Sequence, residues 1–124
     1  MQHYVGTDII EIERIRQAIK RYDERFLNRV YTPAELKIYG HHAHSLAASF
    51  AAKEAVMKVL GTGNRGVAWR EIEVLYHDSG KPYVRLNDRA VKVSKKLGIK
   101  EIDVSISHSR DNAIAIAIGS TYPS

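Results

Sequence analysis

Hydrophobic positions along this chain of 124 residues switch between two periods, and each switch marks a change of element. Tyr4 to Ile10 predicts a strand, with Gly6 permitting close backbone approach and Asp8 near the strand's end. From Glu11 to about Val30 the period lengthens to that of a helix. Ile12, Ile15 and Ile19 form one apolar stripe. Arg14, Arg21, Arg25 and Arg29 follow at spacings of seven, four and four, so they share a face if the helix continues past Tyr22 and Asp23. Thr32-Pro33-Ala34-Glu35 combines an N-cap threonine, a proline at the first helical position and a glutamate three residues on, predicting a short helix to Tyr39 ended by Gly40.

Ser45 to Leu60 is the strongest helical stretch, with four alanines between Ala47 and Ala52 and Gly61 as its stop. Phe50, Val56, Met57 and Leu60 are its apolar anchors, and Glu54 and Lys58, four apart, project from one face. Gly61-Thr62-Gly63-Asn64-Arg65-Gly66 is too rich in glycine for helix or strand. Glu71 to Tyr76 and Pro82 to Leu86 alternate like paired strands around a hairpin turn at His77-Asp78-Ser79-Gly80. Asn87 caps a helix running to Leu97 and closed by Gly98. Ile102 to Ser107 and Ala113 to Ile118 alternate again, around a turn at Ser109 to Asn112. Strands and helices mix without a regular βαβ repeat, which predicts an α+β fold: a single small domain over 1–124, its mostly antiparallel sheet packed against a long helix.

Composition narrows the class. The chain is 44% hydrophobic and 27% charged, as expected of a globular domain rather than a disordered one. It has no cysteine, which excludes disulfides, thiolate nucleophiles and cysteine-ligated zinc. The longest apolar run, Ala113 to Ile118, is too short to span a bilayer, and Asp8, Glu11 and Glu13 interrupt any signal-peptide pattern. The expectation is a soluble, intracellular protein. Nineteen basic against fourteen acidic residues give a net charge of +5, which favours an anionic partner without choosing among nucleic acid, acidic protein and phosphorylated small molecule.

Five features can carry chemistry, and each has a plainer reading beside it. Asp8 and Glu54 are carboxylates on separate elements, suited to a hard cation such as Mg²⁺. Equally, Asp8 can cap a helix and Glu54 pair with Lys58 in solvent. Gly61-Thr62-Gly63 can cradle phosphate through backbone N–H groups or simply end a helix. It is not a Walker A loop, since it lacks the lysine spacing and follows a helix instead of opening one. His41, His42 and His44 invite a metal, yet no carboxylate or cysteine is placed in sequence to complete a site, and a solvated linker accounts for them. Ser105-Ile106-Ser107-His108-Ser109 offers hydroxyls and an imidazole at a strand end without the elbow of a nucleophilic serine; it can hold a phosphate or merely close a turn. Lys81 to Lys100 holds seven basic residues and one acid, with Arg85, Arg89, Lys92 and Lys96 near one face: a nucleic-acid stripe or a solvated helix surface.

Taken in order along the chain, these pieces resemble the holo-acyl carrier protein synthase family, the short 4′-phosphopantetheinyl transferases. The resemblance rests on Gly6-Thr7-Asp8-Ile9, on Glu11 and Arg14 in the following helix, and above all on Phe50-Ala51-Ala52-Lys53-Glu54-Ala55 with Lys58 and Gly61-Thr62-Gly63 beyond. Gly80-Lys81-Pro82-Tyr83 and Val104-Ser105-Ile106-Ser107-His108-Ser109 complete it. It implies the phosphopantetheinyl transferase fold and transfer of 4′-phosphopantetheine from coenzyme A to a serine of an apo-acyl carrier protein, leaving adenosine 3′,5′-bisphosphate.

The same resemblance implies Mg²⁺, or Mn²⁺ in its place, held by Asp8 and Glu54, with Lys58 as a third catalytic residue. A metal-bound water, Glu54 and Lys58 all stand as acceptors of the serine proton. Coenzyme A is assigned to Lys58, Gly61, Thr62 and Gly63, to Lys81 and Pro82 near the nucleotide, and to His108 and Ser109 at its 3′-phosphate. Arg14, Arg25, Phe26 and Arg29 fall in the segment that docks the acidic carrier protein. The implied assembly is a cytoplasmic homotrimer with active sites at subunit interfaces, Asp8, Glu54 and Lys58 from one subunit and His108 and Ser109 from its neighbour, with neither nucleic acid nor membrane as partner. One departure stands out. Family members often carry arginine before the F-A-A-K-E run to help hold a coenzyme A phosphate. Here that position is Ser49, so either another basic residue such as Arg65 substitutes or coenzyme A binds more weakly. The reading from another class is a small basic RNA-binding module built on the lysine-rich C-terminal helix, for which the chain shows no RNP, KH or double-stranded RNA signature.

Overall fold

The long helix around which everything else is arranged is buried almost all round, because small and apolar residues fill most of its circumference. The computed structural model describes residues 2–63 and 65–121, so Asn64 of the glycine-rich loop lies outside the described residues. In chain order the elements are β1 (His3–Glu11), α1 (Ile12–Tyr22), α2 (Glu24–Val30), α3 (Pro33–Tyr39), α4 (Ala43–Leu60), a single 3₁₀ turn (Trp69–Glu71), β2 (Ile72–Tyr76), β3 (Pro82–Leu86), α5 (Asp88–Leu97), β4 (Glu101–His108) and β5 (Asn112–Ser120). The expected α+β architecture is present. β1, β5 and β4 form an antiparallel sheet in that order, and β2 and β3 form a separate antiparallel hairpin. Among the described residues, no helix is long and apolar enough to cross a membrane.

α4 lies across one face of the three-stranded sheet. Ala113, Ala115 and Ala117 of β5 face it and are buried, while Ile114, Ile116 and Ile118 point to the other side and stay 40–45% exposed. The small residues are inside because the helix comes very close. A Cβ built on Gly6 would stand 2.0 Å from the Ala55 carbonyl oxygen, and one on Gly119 would stand 2.8 Å from Val59. Only glycine permits that approach, and it brings Asp8 of β1 over the middle of α4. The first half of α4, with Leu46, Ala47 and Ala48, packs against α1, α2 and α3; the second half, from Ala51 to Leu60, packs against the sheet, the hairpin and α5.

Three expectations are corrected. The helix from Glu11 to Val30 does not run through: Asp23, with φ +48°, ends α1 and starts α2, so the four arginines do not share one helix face. Glu11 belongs to the end of β1 rather than to the helix, and the strand reaches three residues past Asp8. Asn87 precedes α5 but makes no side-chain cap. The Glu71 carboxylate takes that role, accepting the Arg89 and Ala90 N–H groups at 2.6 and 3.3 Å. Thr32 fares as its motif predicts: it accepts from the Glu35 N–H, and Glu35 accepts from the Thr32 N–H, a closed capping box.

Candidate active site

Asp8 pairs in register with Ala115 of β5 and lies on the side of the sheet that faces α4. Its carboxylate stands 3.6 Å from Lys58 Nζ, which also donates to the Thr7 carbonyl at 2.7 Å. The lysine therefore reaches across to β1 instead of pairing with Glu54 on its own helix. Neither does Asp8 cap a helix. Asp8 and Glu54 instead line one groove of about 320 Å³ together with Ile9, Ile10, Arg14, Ile15, Ala18, Phe26 and Phe50.

Burial pushes both carboxyls above their ordinary pKa values. For Glu54 the nearby Asp8 charge adds to burial, and the Trp69 indole and Lys58 oppose it. For Asp8, Lys58 opposes burial without cancelling it. The site thus holds two partly buried acids that repel each other, with half-exposed Lys58 beside Asp8 and Arg14 on the groove wall, and the pull of Lys58 does not outweigh burial in either acid. Two carboxylate ligands converging on one groove are the donor set a hard divalent cation takes. On that chemistry the residues fit the metal the resemblance implies.

Arg14 and Phe26 share the groove with the acids. A second groove of about 480 Å³, lined by Tyr22, Arg25, Phe26, Arg29, Val30, Phe50 and Trp69, adjoins it. Phe26 and Phe50 line both, so one continuous depression runs from the acids to the arginines of α2. The break at Asp23 gives α2 its own direction, and Arg25 and Arg29 line this second groove while Arg14 lines the first. Arg21, left on α1, covers its neighbour Tyr22 instead.

Apart from Lys58, which stands beside Asp8, the residues assigned to coenzyme A do not converge on the acids within one chain. Ile106, Ala115 and Asp8 lie in one row across the sheet, and His108 sits two residues further along β4. With strands ~4.8 Å apart and ~3.3 Å per residue, His108 and Asp8 are about 12 Å apart. His108 and Ser109 are exposed; the His108 ring lies 5.6 Å from that of His44 in the first turn of α4, and Ser109 Oγ accepts the Asn112 N–H at 3.4 Å. Gly61, with φ +74°, closes α4 as an ordinary C-cap, and Thr62 donates its N–H to the Met57 carbonyl at 3.3 Å. That end is ~10 Å along α4 from Glu54. Lys81 lies in the exposed β2–β3 turn, and Pro82 opens β3 opposite Tyr76.

Ser49, at the position where family members often carry arginine, is fully buried and turned toward Glu35 Oε2 at 3.4 Å. Beside it lies a feature that the residue spacing did not reveal. Lys53 and Glu35 are both 0% exposed and pair at 2.7 Å. Lys53 Nζ also donates to the carbonyls of Trp69 at 3.1 Å and Ile72 at 2.5 Å. Glu35 accepts further from the Val74 N–H at 2.8 Å. A capping glutamate and the lysine of the F-A-A-K-E run thus become one closed network joining α3, α4 and β2. Trp69 is the other residue missed: it forms the wall shared by Phe50, 5.8 Å away, and the Arg29 guanidinium, 5.8 Å from its ring centre. The available signal was that it is the chain's single tryptophan and follows the glycine-rich loop.

Two further readings change. His41 does have acids near it after all: ligand atoms of Asp23, Glu24 and His41 lie within 4.8 Å of one another, all exposed. The basic stripe of the RNA reading loses two members. Arg85 is on β3 and pairs with Glu73 at 2.9 Å, and Arg89 pairs with Glu71 at 2.7 Å.

Comparison with known proteins points one way. Residues 4–117 match the model of the 4′-phosphopantetheinyl transferase superfamily. The holo-[acyl-carrier-protein] synthase of Halothermothrix orenii is 45% identical over 118 residues, covering 93% of this chain and 94% of its own length. That of Dehalococcoides mccartyi is 50% identical over 115 residues, covering 93% and 96%. Among solved structures, the holo-[acyl-carrier-protein] synthase of Neisseria meningitidis superposes with a TM-score of 0.88 at 34% identity, covering 94% of this chain and 97% of that one. The Helicobacter pylori enzyme, solved in complex with coenzyme A, superposes with a TM-score of 0.86 at 30% identity, covering 94% and 99%.

Proposed function

This chain belongs to the 4′-phosphopantetheinyl transferase superfamily, and from that premise we propose that it acts as one transferase domain over 1–124, moving 4′-phosphopantetheine from coenzyme A to a serine of an apo-acyl carrier protein. The observation that carries the site assignment is the meeting of Asp8 and Glu54 in one groove with Arg14 and Phe26. That arrangement sets the reacting pyrophosphate beside the surface on which the carrier protein docks.

In the reaction the serine hydroxyl passes its proton to one of the acceptors named above and its oxygen bonds to the pantetheine-side phosphorus, while the bond from that phosphorus to the oxygen bridging the pyrophosphate breaks. Adenosine 3′,5′-bisphosphate leaves. Such a transfer asks for alignment and charge neutralisation more than for covalent help from the protein. Asp8 and Glu54 would hold Mg²⁺, or Mn²⁺, which when bound neutralises charge on the pyrophosphate oxygens. Lys58 adds a cation beside Asp8. Arg14, Arg25 and Arg29 present positive charge to an acidic carrier protein, which speeds encounter and sets its orientation. Phe26, half-buried between the two grooves, supplies the apolar contact.

Coenzyme A is longer than this site. Lys58, Gly61, Thr62, Gly63, Lys81, Pro82, His108 and Ser109 would meet it along its length, from two subunits of a homotrimer. The separation of His108 from Asp8 supports the sharing, and so does the outer face of the sheet. Val5, Ile9, Ile114, Ile116 and Ile118 form there an apolar patch, 40–63% exposed, whose large side chains point away from α4. Such a patch marks a surface that another chain covers.

The test is mass spectrometry of an apo-acyl carrier protein after incubation with this protein, coenzyme A and Mg²⁺. A gain of one phosphopantetheine on its serine is the expected result, and omission of the divalent cation abolishes it. No gain on any of several bacterial carrier proteins overturns the assignment. Equal gain in excess chelator overturns the metal part alone.

A further inference from the structure

We propose that Asp23, Glu24 and His41 form a second cation site, on the surface at the break between α1 and α2, and that it takes a borderline divalent metal such as Zn²⁺ in preference to Mg²⁺.

The three side chains come from two segments. Asp23 is the residue at which α1 ends and α2 starts, Glu24 is the first residue of α2, and His41 lies in the turn between α3 and α4. Each segment is anchored beside its ligands. The Asp23 N–H donates to the Ile19 carbonyl at 2.7 Å, and the Asp23 carbonyl accepts from the Phe26 and Leu27 N–H groups at 3.1 Å. Across from them, the Gly40 N–H donates to the Leu36 carbonyl and the Leu46 N–H to the His42 carbonyl, both at 2.9 Å. Leu27 and Tyr39 are buried in one core cluster, which holds the two backbones at a fixed spacing. Over that gap, one ligand atom from each of the three residues lies within 4.8 Å of the other two, with His41 Nε2 and Glu24 Oε1 3.9 Å apart.

Neither acid has an ordinary use here. An aspartate at a helix start usually caps it, but Asp23 makes no side-chain cap. Among the described residues, neither carboxylate pairs with a lysine or arginine, although the chain carries a net charge of +5. Arg16 and Lys20 line the groove that His41 shares with His42 and His44, and even they leave both acids unpaired. The histidine run, which has no carboxylate near it in sequence, thus acquires two from the helix break.

An imidazole nitrogen with two carboxylate oxygens is a mixed donor set, suited to Zn²⁺ or Co²⁺ where Mg²⁺ takes oxygen alone. Zinc ligands stand ~2.1 Å from the ion, and so about 3.4 Å from one another in a tetrahedron. All three side chains are exposed, so rotation about their own bonds closes the remaining distance without moving the backbone. Water fills the fourth position. A bound ion would tie the helix that carries Arg25, Phe26 and Arg29 to the segment leading into α4.

Nothing in this site depends on Asp8 or Glu54, and the experiment keeps the two apart. Zn²⁺ is titrated calorimetrically into tag-free, full-length protein carrying Asp8→Asn and Glu54→Gln. One Zn²⁺ per chain should bind, undisturbed by millimolar Mg²⁺, and raise the melting temperature by several degrees at about 100 times the dissociation constant. Adding Asp23→Asn, Glu24→Gln or His41→Gln should each raise that constant at least about tenfold. His42→Gln and His44→Gln should leave it unchanged. All five substitutions should melt as their parent does when metal is absent. Co²⁺ in place of Zn²⁺ should give visible absorption that His41→Gln removes. Absence of stoichiometric Zn²⁺ binding overturns the proposal, as does an affinity that any of the three ligand substitutions leaves intact. Equal losses in His42→Gln or His44→Gln also overturn it, placing the ion on the histidine run instead of on the helix break.

Discussion

Residues 53 and 54 are neighbours on α4, carry opposite charges and face different surroundings. Lys53 points into the core, where Glu35 and two backbone carbonyls satisfy each of its donors. Glu54 lines the groove together with another acid, Asp8, whose charge acts on it. Burial acts on both: it lowers the Lys53 pKa against the pull of Glu35, and it raises that of Glu54 with Asp8 adding to the rise. What differs is compensation. A buried charge with a complete set of partners locks elements together, whereas one left short of counter-charge is stable only as part of a site that expects a ligand. One helix therefore serves as scaffold on one side and lines the candidate site on the other.

Breaking the compensated side should have the largest consequence. Lys53→Ala leaves Glu35 buried and unpaired, and a loss of about 3–5 kcal/mol of stability is expected in urea or thermal unfolding. The double change Lys53→Met with Glu35→Leu should recover much of that loss, since no lone charge is then buried. Recovery that fails would mean that the pair's hydrogen bonds to Val74, Trp69 and Ile72 matter more than its charges.

On the uncompensated side the effects should fall on rate instead. Glu54→Gln or Asp8→Asn should lower transfer by at least about 10²-fold, the scale of losing one stabiliser of the transition state. Because each removes a repelling charge and opens no cavity, the ligand-free protein should be at least as stable at neutral pH as the wild type. A variant that is both slow and clearly less stable would erase the distinction between the two sides.

The groove is also the side that a second subunit would complete. Asp8→Ala and His108→Ala proteins should each be nearly inactive alone. In randomly mixed trimers about a quarter of the interfaces pair an intact Asp8 with an intact His108, so activity should return to that order. Mixed trimers that form and stay inactive would assign both residues to one subunit's site.

A smaller effect is expected at the rim. Arg14→Glu should slow association with the carrier protein and reduce its salt dependence, measured by stopped-flow at several ionic strengths, with coenzyme A affinity unchanged. Reduced coenzyme A affinity would place Arg14 on the wrong ligand.

The smallest effect concerns pH. Burial alone would raise the pKa values of Glu71 and Glu73, but hydrogen bonds from Ala68, Arg89, Thr32, Arg85 and Asn87 outweigh it and hold both below the ordinary value of 4.5. Their stabilisation is complete above that value and is lost as pH falls through their lowered ones. Glu73→Gln should therefore flatten the decline of the urea midpoint below about pH 4.5. Asp8 and Glu54 act with the opposite sign: their raised values make the ligand-free protein lose stability as pH rises through them, a decline that Glu54→Gln should reduce.

Sequence alone determined the local architecture and the family. The capping box at Thr32, the helix stop at Gly61, the β2–β3 hairpin and the alternating strands are set by neighbours within a few residues, and they form as their patterns predict. Asp8 and Glu54 were also legible as candidates, because the motifs that carry the resemblance surround them, whereas the spacing of Arg14, Arg21, Arg25 and Arg29 suggested one shared face that the break at Asp23 removes. Only the tertiary structure decided what lies opposite each of them. Helical spacing put Glu54 and Lys58 on one face, yet Lys58 pairs with Asp8, because Gly6 lets β1 approach within reach. The same applies to Ser49 and Lys53, which spacing could not distinguish from surface residues. Nor could it show that a positive φ at Asp23 would separate α2 from α1 and set Arg25 and Arg29 in a groove of their own. Periodicity fixes the direction in which a side chain leaves its own element; its partner, and with it the balance of charge that separates scaffold from site, depends on contacts between residues far apart in the chain.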